Sequence, residues 1–376
     1  MKEMIPMNND FLLSALPFFI RALVFFVGAT IVFFACASAI RTFVLPRSAR
    51  EPITTFTFQR SREIFGLVIR LLRAETFEQR DAVYALFAPV SLLALPVVWL
   101  MLVNIGYTAM FWATGVESWW AAFVDSGSSL LTLGFAPLSA PQTLILAFSE
   151  ATIGLIMVAL LISYLPTIYS AFSQRETAVT MLETRAGAPP WAVTMIIRYQ
   201  RIGGLSRLAL LWQEWEAWFA QVEETHTSLV ALVFFRSPHA HRSWVTAAGS
   251  VLDAAALMNA VVDAPHDPQS DICLRSGYLA LRHIADFFLT PYNENPHYPT
   301  DPISISRAEF ETACVEMAAA GVPLKADREQ AWRDFAGWRV NYDTVLIALA
   351  ELTLAPYAPW SSDRGLARQR TAGPYF

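Results

Sequence analysis

Hydroxyl and glycine residues are concentrated in one short loop, residues 115–141, which joins two strongly apolar segments. In chain order the residues of interest are Ser126, Ser129, Thr132, Leu133, Gly134, Phe135 and Ala136. Ser126 lies in an Asp-Ser-Gly run, which is not the elbow of a nucleophilic serine. This serine therefore gives no indication of bond-making chemistry.

The first half of the loop predicts a short helix. Ser118 is a suitable N-cap for a helix that begins at Trp119 and ends near Leu131. The loop is too apolar for a solvated connection and too short for a membrane span, so we expect it to re-enter the membrane. Irregular backbone at that depth has to be buried in protein or line a water-filled cavity. The negative end of the helix dipole would favour a cation there, and residues 132–135 should follow as a short strand.

This helix and the run after it resemble the pore loop of the tetrameric potassium-channel superfamily, in particular its two-pore-type pore module. In that family a pore helix leads into a filter of the form Thr-(Val/Ile/Leu)-Gly-(Tyr/Phe)-Gly-Asp, and residues 132–135 match the first four positions. Upstream of the filter, two-pore-type channels carry similar residues at the positions of Ala122, Phe123, Ser126, Ser129 and Leu130. The resemblance covers about residues 85–175. It implies a selectivity filter at residues 132–136, four identical subunits around one axis, and potassium as the permeant ion.

Three positions depart from the family pattern. Ala136 stands where the filter has its second glycine, Pro137 where it has aspartate, and Leu131 where a threonine usually precedes the filter. Because glycine permits backbone torsions that other residues resist, Ala136 puts the outermost coordination site in question. A potassium-selective pore and a non-selective cation pore both stay open. A loop that rests on the bilayer surface as an amphipathic hairpin, with no pore, is the remaining alternative.

Three segments are long and apolar enough to span a membrane, residues 11–40, 83–114 and 143–172. Segment 41–80 carries eight arginines against four glutamates, whereas segment 115–141 has no basic residue. Excess positive charge usually marks the cytoplasmic side. The N-terminus and the 115–141 loop should therefore lie outside, and everything beyond the third segment inside. We expect a multi-pass protein of a bacterial inner membrane.

The third segment would be the inner helix of the resembled family, and three of its residues are candidates for a role. Gly154 and Pro166 interrupt an otherwise strong helix, and inner helices of that family bend at glycine or proline to open a cytoplasmic gate. Small residues and proline are also common in membrane helices that only pack. Glu150 is an acidic residue in an apolar core, which by default indicates a functional position. It can line the permeation path, or it can support the pore helix by a hydrogen bond with Ser126, Ser128 or Ser129, and the second reading is preferred.

The remaining segments are a basic amphipathic linker, residues 41–82, and a helical region, residues 173–376. The linker can lie on the inner leaflet or pack as a solvated helix. The second region is expected to be one all-α cytoplasmic domain that begins as a continuation of the inner helix. Its predicted helices are 175–186, 190–199, 205–224, 244–262, 271–288, 307–319 and 327–353. It contains no glycine-rich nucleotide fingerprint, phosphate loop or EF-hand pattern.

Composition agrees with a membrane protein that has a polar second half. The chain is 55% hydrophobic and 16% charged, with a mean hydropathy of +0.39, whereas soluble domains carry about 25% charged residues. A net charge of −5 gives no reason to expect nucleic acid. Three cysteines show no metal-ligand spacing, so neither metal nor other cofactor is expected, nor any catalytic residue.

The sequence therefore predicts an all-α membrane protein and not an enzyme. It comprises an N-terminal span (1–40), the linker, a pore module (83–172) and the helical cytoplasmic domain. The pore module consists of an outer helix, a re-entrant pore helix with its filter loop, and an inner helix. The predicted function is a homotetrameric cation channel in contact with membrane lipids and open to an unidentified cytoplasmic ligand or protein. A membrane-anchored helical interaction protein with no pore is the alternative.

Overall fold

The computed structural model describes residues 9–43, 51–74 and 76–367. Three parts of the sequence predictions lie outside the described residues. They are the placement of the N-terminus, parts of the 41–82 linker, and the last residues of the 173–376 region.

The chain divides into two compact units. One contains Met1–Glu63 and Pro89–Thr167, and the other contains Ile64–Ala88 and Ile168–Phe376. The first unit holds the apolar segments and the 115–141 loop. The second holds the helical second half of the chain together with the end of the basic linker.

The helices up to residue 186 include three apolar ones that the sequence predicted. Among the described residues these helices are α1 (Asn9–Phe43), α2 (Pro52–Leu71), α3 (Phe77–Tyr84), α4 (Phe87–Ala113), α5 (Trp119–Leu130) and α6 (Pro141–Ala186). Within the described ranges, α1, α4 and α6 contain the segments long and apolar enough to cross a membrane. This confirms that part of the prediction. The ends of α1 and α4 lie within a few residues of those expected, and α6 continues beyond residue 172.

The helices α1 and α4 pack at two facing glycines. A Cβ atom on Gly28 would lie 2.4 Å from the carbonyl oxygen of Gly106, and a Cβ on Gly106 would lie 2.7 Å from that of Gly28. Only residues without a side chain permit backbones to approach this closely, as in small-residue contacts of membrane helices. Farther along the same pair, the Trp99 indole donates a hydrogen bond of 3.2 Å to the hydroxyl of Ser38. The first unit is therefore a tightly packed helical cluster and not a set of separate spans.

The helix α6 is 46 residues long and continues through Pro166 to Ala186. The sequence predicted that the C-terminal region begins as a continuation of the third apolar segment, and this is confirmed. Arg175, in the last third of α6, is buried and donates to the carbonyl oxygens of Leu232 at 2.9 Å and Phe235 at 2.7 Å. These bonds lie within the second unit, to which residues 168–186 of α6 belong.

The second unit is built around α9, whose side chains are buried on almost every side. The helices after residue 186 are α7 (Ala192–Arg201), α8 (Leu208–Ser228), α9 (Trp244–Ala260), α10 (Pro268–Phe287), α11 (Arg307–Ala319), α12 (Arg328–Arg339) and α13 (Asp343–Leu352). Many residues of α9 are small, which allows the neighbouring helices to pack against it from all directions. The hydrophobic core of the unit consists of the residues buried between α9 and these helices. A Cβ on Gly277 of α10 would lie 2.5 Å from Leu252 of α9. Besides the α-helices and the loops between them, the described part of the chain has three short 3-10 helices and an isolated antiparallel bridge between Val262 and Leu324.

One helix prediction in this region was wrong. Residues 327–353 were expected to form a single helix, but the chain turns between α12 and α13. The amide of Asn341 donates to the carbonyl oxygens of Gly337 at 3.0 Å and Trp338 at 3.3 Å. A side-chain amide that bonds to the last carbonyls competes with continuation of the helix, which accounts for the break.

Candidate functional site

The helix α5 lies where the sequence predicted it, with Ser118 as its N-cap. The Ser118 hydroxyl accepts a hydrogen bond of 3.1 Å from the backbone N–H of Ala121, which satisfies one of the donors left free at a helix start. Ala122, Ser126 and Leu130 are buried and lie four residues apart. This spacing places them on one face of α5, so the helix has a defined packed side.

The packed side of α5 is joined to both neighbouring helices at Ser126. Its hydroxyl donates a 2.5 Å hydrogen bond to Oε1 of Glu150 on α6, and accepts one of 2.9 Å from the side-chain amide of Asn104 on α4. All of the Glu150 side chain is buried, and Oε2 has no hydrogen-bond partner among the described residues. Three helices therefore meet at one polar contact inside an apolar cluster. Glu150 faces α5, as the preferred sequence interpretation expected.

One turn farther along, the end of α5 contacts α6 at Gly154. A Cβ atom at Gly154 would lie 2.4 Å from the carbonyl oxygen of Leu130 and 3.2 Å from its Cδ1. Ser126 and Leu130 are four residues apart on α5, and Glu150 and Gly154 are four apart on α6. The two helices thus contact each other at matching positions one turn apart. Gly154 was singled out as a hinge, which stays a prediction, but here it also admits the last turn of α5.

The segment after α5, residues 132–136, is irregular rather than the short strand expected. Four of its N–H groups donate back to the end of α5, those of Thr132, Leu133, Gly134 and Ala136. Thr132 donates to the carbonyl oxygen of Ser129 (3.0 Å). Leu133 and Gly134 donate to the carbonyl oxygen of Ser128 (2.8 and 3.4 Å), and Ala136 donates to the Ser128 hydroxyl (3.2 Å). Since these donors bond to α5 and not to a neighbouring strand, the segment follows the helix end.

The direction of these N–H groups fixes the direction of the carbonyl groups. In a planar trans peptide the C=O of one residue points opposite to the N–H of the next, and the peptides here are trans. The carbonyl oxygens that must therefore point away from α5 are those of Leu131, Thr132, Leu133 and Phe135. No hydrogen bond from the described residues reaches the carbonyls of residues 132–136, and residues 131–135 are exposed. The segment presents a row of free acceptors.

Backbone torsions show that this arrangement is strained. Thr132 has φ of +54° and Gly134 has φ of +71°. A positive φ is rare for a residue branched at Cβ, and such conformations persist only where the surroundings impose them, often at functional positions. The hydrogen bonds to Ser128 and Ser129 are the surroundings that impose it here. A Cβ at Gly134 would meet nothing within 4 Å, so glycine is needed for its torsion and not for space.

The side of α6 that faces away from these contacts bears a row of hydroxyl groups. The exposed residues of this row are Thr152, Ser163, Thr167 and Ser170, with the exposed Ile156 on the same side. Their spacing places them along one side of the helix, and several donate to carbonyl oxygens of α6 itself. The hydroxyl of Ser149 lies 2.8 Å from the hydroxyl of Tyr107 on α4. Pro166 is also exposed, and its role as a gating hinge stays a prediction. A hydroxyl-bearing face suits water or another helix better than lipid tails.

Sequence reasoning missed Asn104 and underestimated Ser128. Asn104 is a lone amide in an apolar helix, which is the signal that would have indicated a buried partner. Ser128 was considered only as a partner for Glu150, but its carbonyl and hydroxyl oxygens hold the 132–136 segment. The Ser129 hydroxyl donates within α5, to the carbonyl of Asp125 at 2.8 Å, so Ser129 supports the segment through its backbone alone.

Polar clusters in the second unit are closed rather than open to a ligand. Arg339 is fully buried, and it donates to Asp253 at 2.6 Å, to Asp343 at 2.7 Å and to the carbonyl of Trp360 at 2.5 Å. Burial alone would lower the pKa of Arg339, but the two carboxylates outweigh it and raise that pKa. No group of three metal-ligating side chains occurs in the described ranges. These clusters stabilise the fold, and the 132–136 segment is the better candidate site.

Comparison of the chain with protein-family models, with curated proteins and with solved structures gives no match. No relative therefore contributes a substrate, partner or activity. The functional argument rests on the residues of α5, α6 and the segment between them.

Proposed function

We propose that the chain is one subunit of a tetrameric pore-loop channel for monovalent cations, with potassium as the expected ion. The observation that carries the proposal is the set of outward carbonyl oxygens of Leu131, Thr132, Leu133 and Phe135, which are oriented because the N–H groups of the residues that follow them bond to Ser128 and Ser129. Carbonyl oxygens in such a row can replace the hydration shell of a cation. A single chain leaves them exposed on one side, so several copies around an axis are needed to surround an ion.

The helices on either side of this segment fit the same proposal. The C-terminus of α5, where the helix dipole is negative, ends directly before the carbonyl row and favours a cation there. The hydroxyl-bearing side of α6 would line a water-filled path in an assembly of four subunits. In this arrangement residues 173–376 lie in the cytoplasm, and they bias the gate through different affinities for its open and closed states.

Ion selectivity depends on the end of the segment. Ala136 replaces the second glycine of the resembled filter, and its N–H is bound to the Ser128 hydroxyl. Without this glycine, the filter loses one of its ion-coordination sites of the usual geometry. A non-selective cation pore is therefore the second candidate. Reversal potentials distinguish the two. Under opposed potassium and sodium gradients, the current reverses near the potassium potential for a selective pore and near zero for a non-selective one.

The proposal is tested with the purified full chain in liposomes and a pair of matched variants. Gly134 and Gly203 both have positive φ, +71° and +64°, and a Cβ at either would meet nothing within 4 Å. Aspartate imposes similar backbone strain at both positions, but only Gly134→Asp disturbs the carbonyl row. We expect Gly134→Asp to abolish the cation flux and Gly203→Asp to retain it. Equal flux in the two variants, or a protein that is monomeric or dimeric by native mass spectrometry, would overturn the proposal.

A further inference from the structure

The helix α2 exposes an apolar stripe that runs along its length. Phe56, Ile64, Leu67 and Leu71 are 55%, 60%, 55% and 73% exposed. Their spacing of eight, three and four residues places them on one side of a helix. Single exposed apolar residues are common on protein surfaces, but a continuous row of this kind marks an interaction surface.

Arginine residues accompany this stripe. Arg60 lies within it, with its guanidinium 5.1 Å from the ring centre of Phe56, and it also pairs with Glu63 at 2.8 Å. Arg70 and Arg73 are exposed at the other end of the helix. Among the described residues neither has an acidic partner within ion-pair distance. An apolar row with unpaired guanidinium groups beside it matches a surface that is apolar inside and anionic at its edge.

The start of α2 is fixed beside the end of α1. The Arg41 guanidinium, in the last turn of α1, pairs with the Glu51 carboxylate at 3.0 Å, directly before α2. The hydroxyl groups of Thr42 and Thr54 lie 3.0 Å apart. Because α1 is one of the candidate spans, its end marks the level at which the chain leaves the apolar layer. The helix α2 therefore begins at that boundary.

We propose that α2 lies in the headgroup region of the adjoining leaflet and binds anionic lipid, with the row Phe56–Ile64–Leu67–Leu71 towards the acyl chains. Arg70 and Arg73, which have no acidic partner among the described residues, would bind the lipid phosphates. An anionic bilayer matches both the apolar row and the arginine residues of α2. Its apolar interior and its negatively charged surface lie within the reach of one arginine side chain. The inference needs only that α1 spans the membrane, and it holds whether or not the chain forms a pore.

The test places a spin label on α2 in the full chain, reconstituted in nanodiscs. The free cysteines Cys36, Cys273 and Cys314 are first replaced by alanine, so that Leu67→Cys carries the one nitroxide. Glu78→Cys on α3, an exposed position with no apolar row, is the control in the same background. In phosphatidylcholine with phosphatidylglycerol, the label at position 67 should be accessible to oxygen and protected from a water-soluble nickel chelate. The label at position 78 should be accessible to the chelate. Chelate access at both positions would overturn the proposal. The proposal would also be overturned if the label at position 67 were protected from both oxygen and the nickel chelate and showed dipolar broadening, because this would indicate that a second copy of the chain covers this face of α2.

A second experiment tests whether α2 binds anionic lipid through its arginine residues or is held in the bilayer by its apolar row alone. Each arginine near an anionic leaflet contributes about a fivefold preference, so Arg70→Gln with Arg73→Gln should lower the ratio of protected to exposed label by up to about 25-fold. The control is Arg201→Gln with Arg207→Gln, which removes the same charge from the exposed surface of the second unit. That control should leave the ratio unchanged. An equal effect of both pairs, or no effect of phosphatidylglycerol, would refute the role of the arginines.

Discussion

Replacement of Gly154 by alanine tests whether α5 is held against α6 in the manner described. The new Cβ would lie 2.4 Å from the carbonyl oxygen of Leu130, so the two backbones have to separate by about 1 Å to reach ordinary van der Waals contact. The obstacle is a backbone atom and cannot rotate away. Overpacking of this kind typically costs about 1–3 kcal/mol. Alanine otherwise favours a helix over glycine by about 1 kcal/mol, so the net destabilisation should be about 0–2 kcal/mol.

The assay is thermal unfolding of the full chain in detergent, together with flux in liposomes. Gly337→Ala is the matched control, because Gly337 lies in α12 and a Cβ there would meet nothing within 4 Å. The control should gain stability while Gly154→Ala loses it or gains none. A shift of the end of α5 also moves Ser128 and Ser129, so the variant should alter ion selectivity and not only the amount of current.

Two results would refute this reasoning. Equal stabilisation by both alanines would show that α6 and α5 are not in backbone contact at Gly154. A changed open probability with stability and selectivity equal to those of the parent would indicate a hinge alone. A double variant refines the test, since the closest contact is a backbone oxygen that Leu130→Ala leaves in place. Leu130→Ala also removes the Cδ1 atom that lies 3.2 Å from the new Cβ, so the two substitutions should couple by about 0.5 kcal/mol or more, as residues in contact do.

Three further changes have expected outcomes. Arg339→Met leaves the buried carboxylate of Asp253 without its guanidinium, so the free energy of unfolding should fall by about 3–5 kcal/mol, measured by denaturant titration. The second concerns pH. Burial would raise the pKa of Glu309, but Arg364 and the helix cap outweigh it and hold that pKa at about 2, against an ordinary 4.5. Since a lowered carboxylate pKa stabilises the fold above pH 4.5 and loses this effect as the pH falls towards 2, Glu309→Gln should remove that part of the acid dependence of the melting temperature. Gly28→Leu places a side chain where a backbone oxygen of α4 lies 2.4 Å from the Cβ position, so α1 should separate from α4 and the melting temperature should fall.

The fold was largely readable from the sequence because its signals are local. Apolar length identified α1, α4 and α6, and the Ser118 cap before an apolar run identified α5. The turn between α12 and α13 was missed because it depends on the side chain of Asn341, which bonds to carbonyls three and four residues back. An apolar periodicity that continues through such a turn does not reveal it.

The contacts of the candidate site were less predictable because they join distant parts of the chain. Glu150 was visible as an acidic residue in an apolar core, but its contact with Ser126 requires the register between α5 and α6. Asn104 lies 22 residues before Ser126, and nothing local shows which side of α4 it occupies. Gly154 shows the same limit, because a glycine in an apolar helix is consistent with a hinge and with a close contact alike.

The arrangement of acceptors is what separates the 132–136 segment from the polar clusters of the second unit. Around Arg339 every strong donor reaches a carboxylate or a carbonyl, as expected of buried groups that stabilise a core. After α5 the opposite holds, since the N–H groups of Thr132, Leu133, Gly134 and Ala136 are bound to the helix end. The carbonyl oxygens of Leu131, Thr132, Leu133 and Phe135 are turned outward at the cost of a left-handed threonine. In water such carbonyls would need no explanation. Between two apolar helices that can cross a membrane, free backbone acceptors must be satisfied by water, by an ion or by another copy of the chain. In the proposed re-entrant arrangement, a water-filled path shared by several subunits supplies all of these.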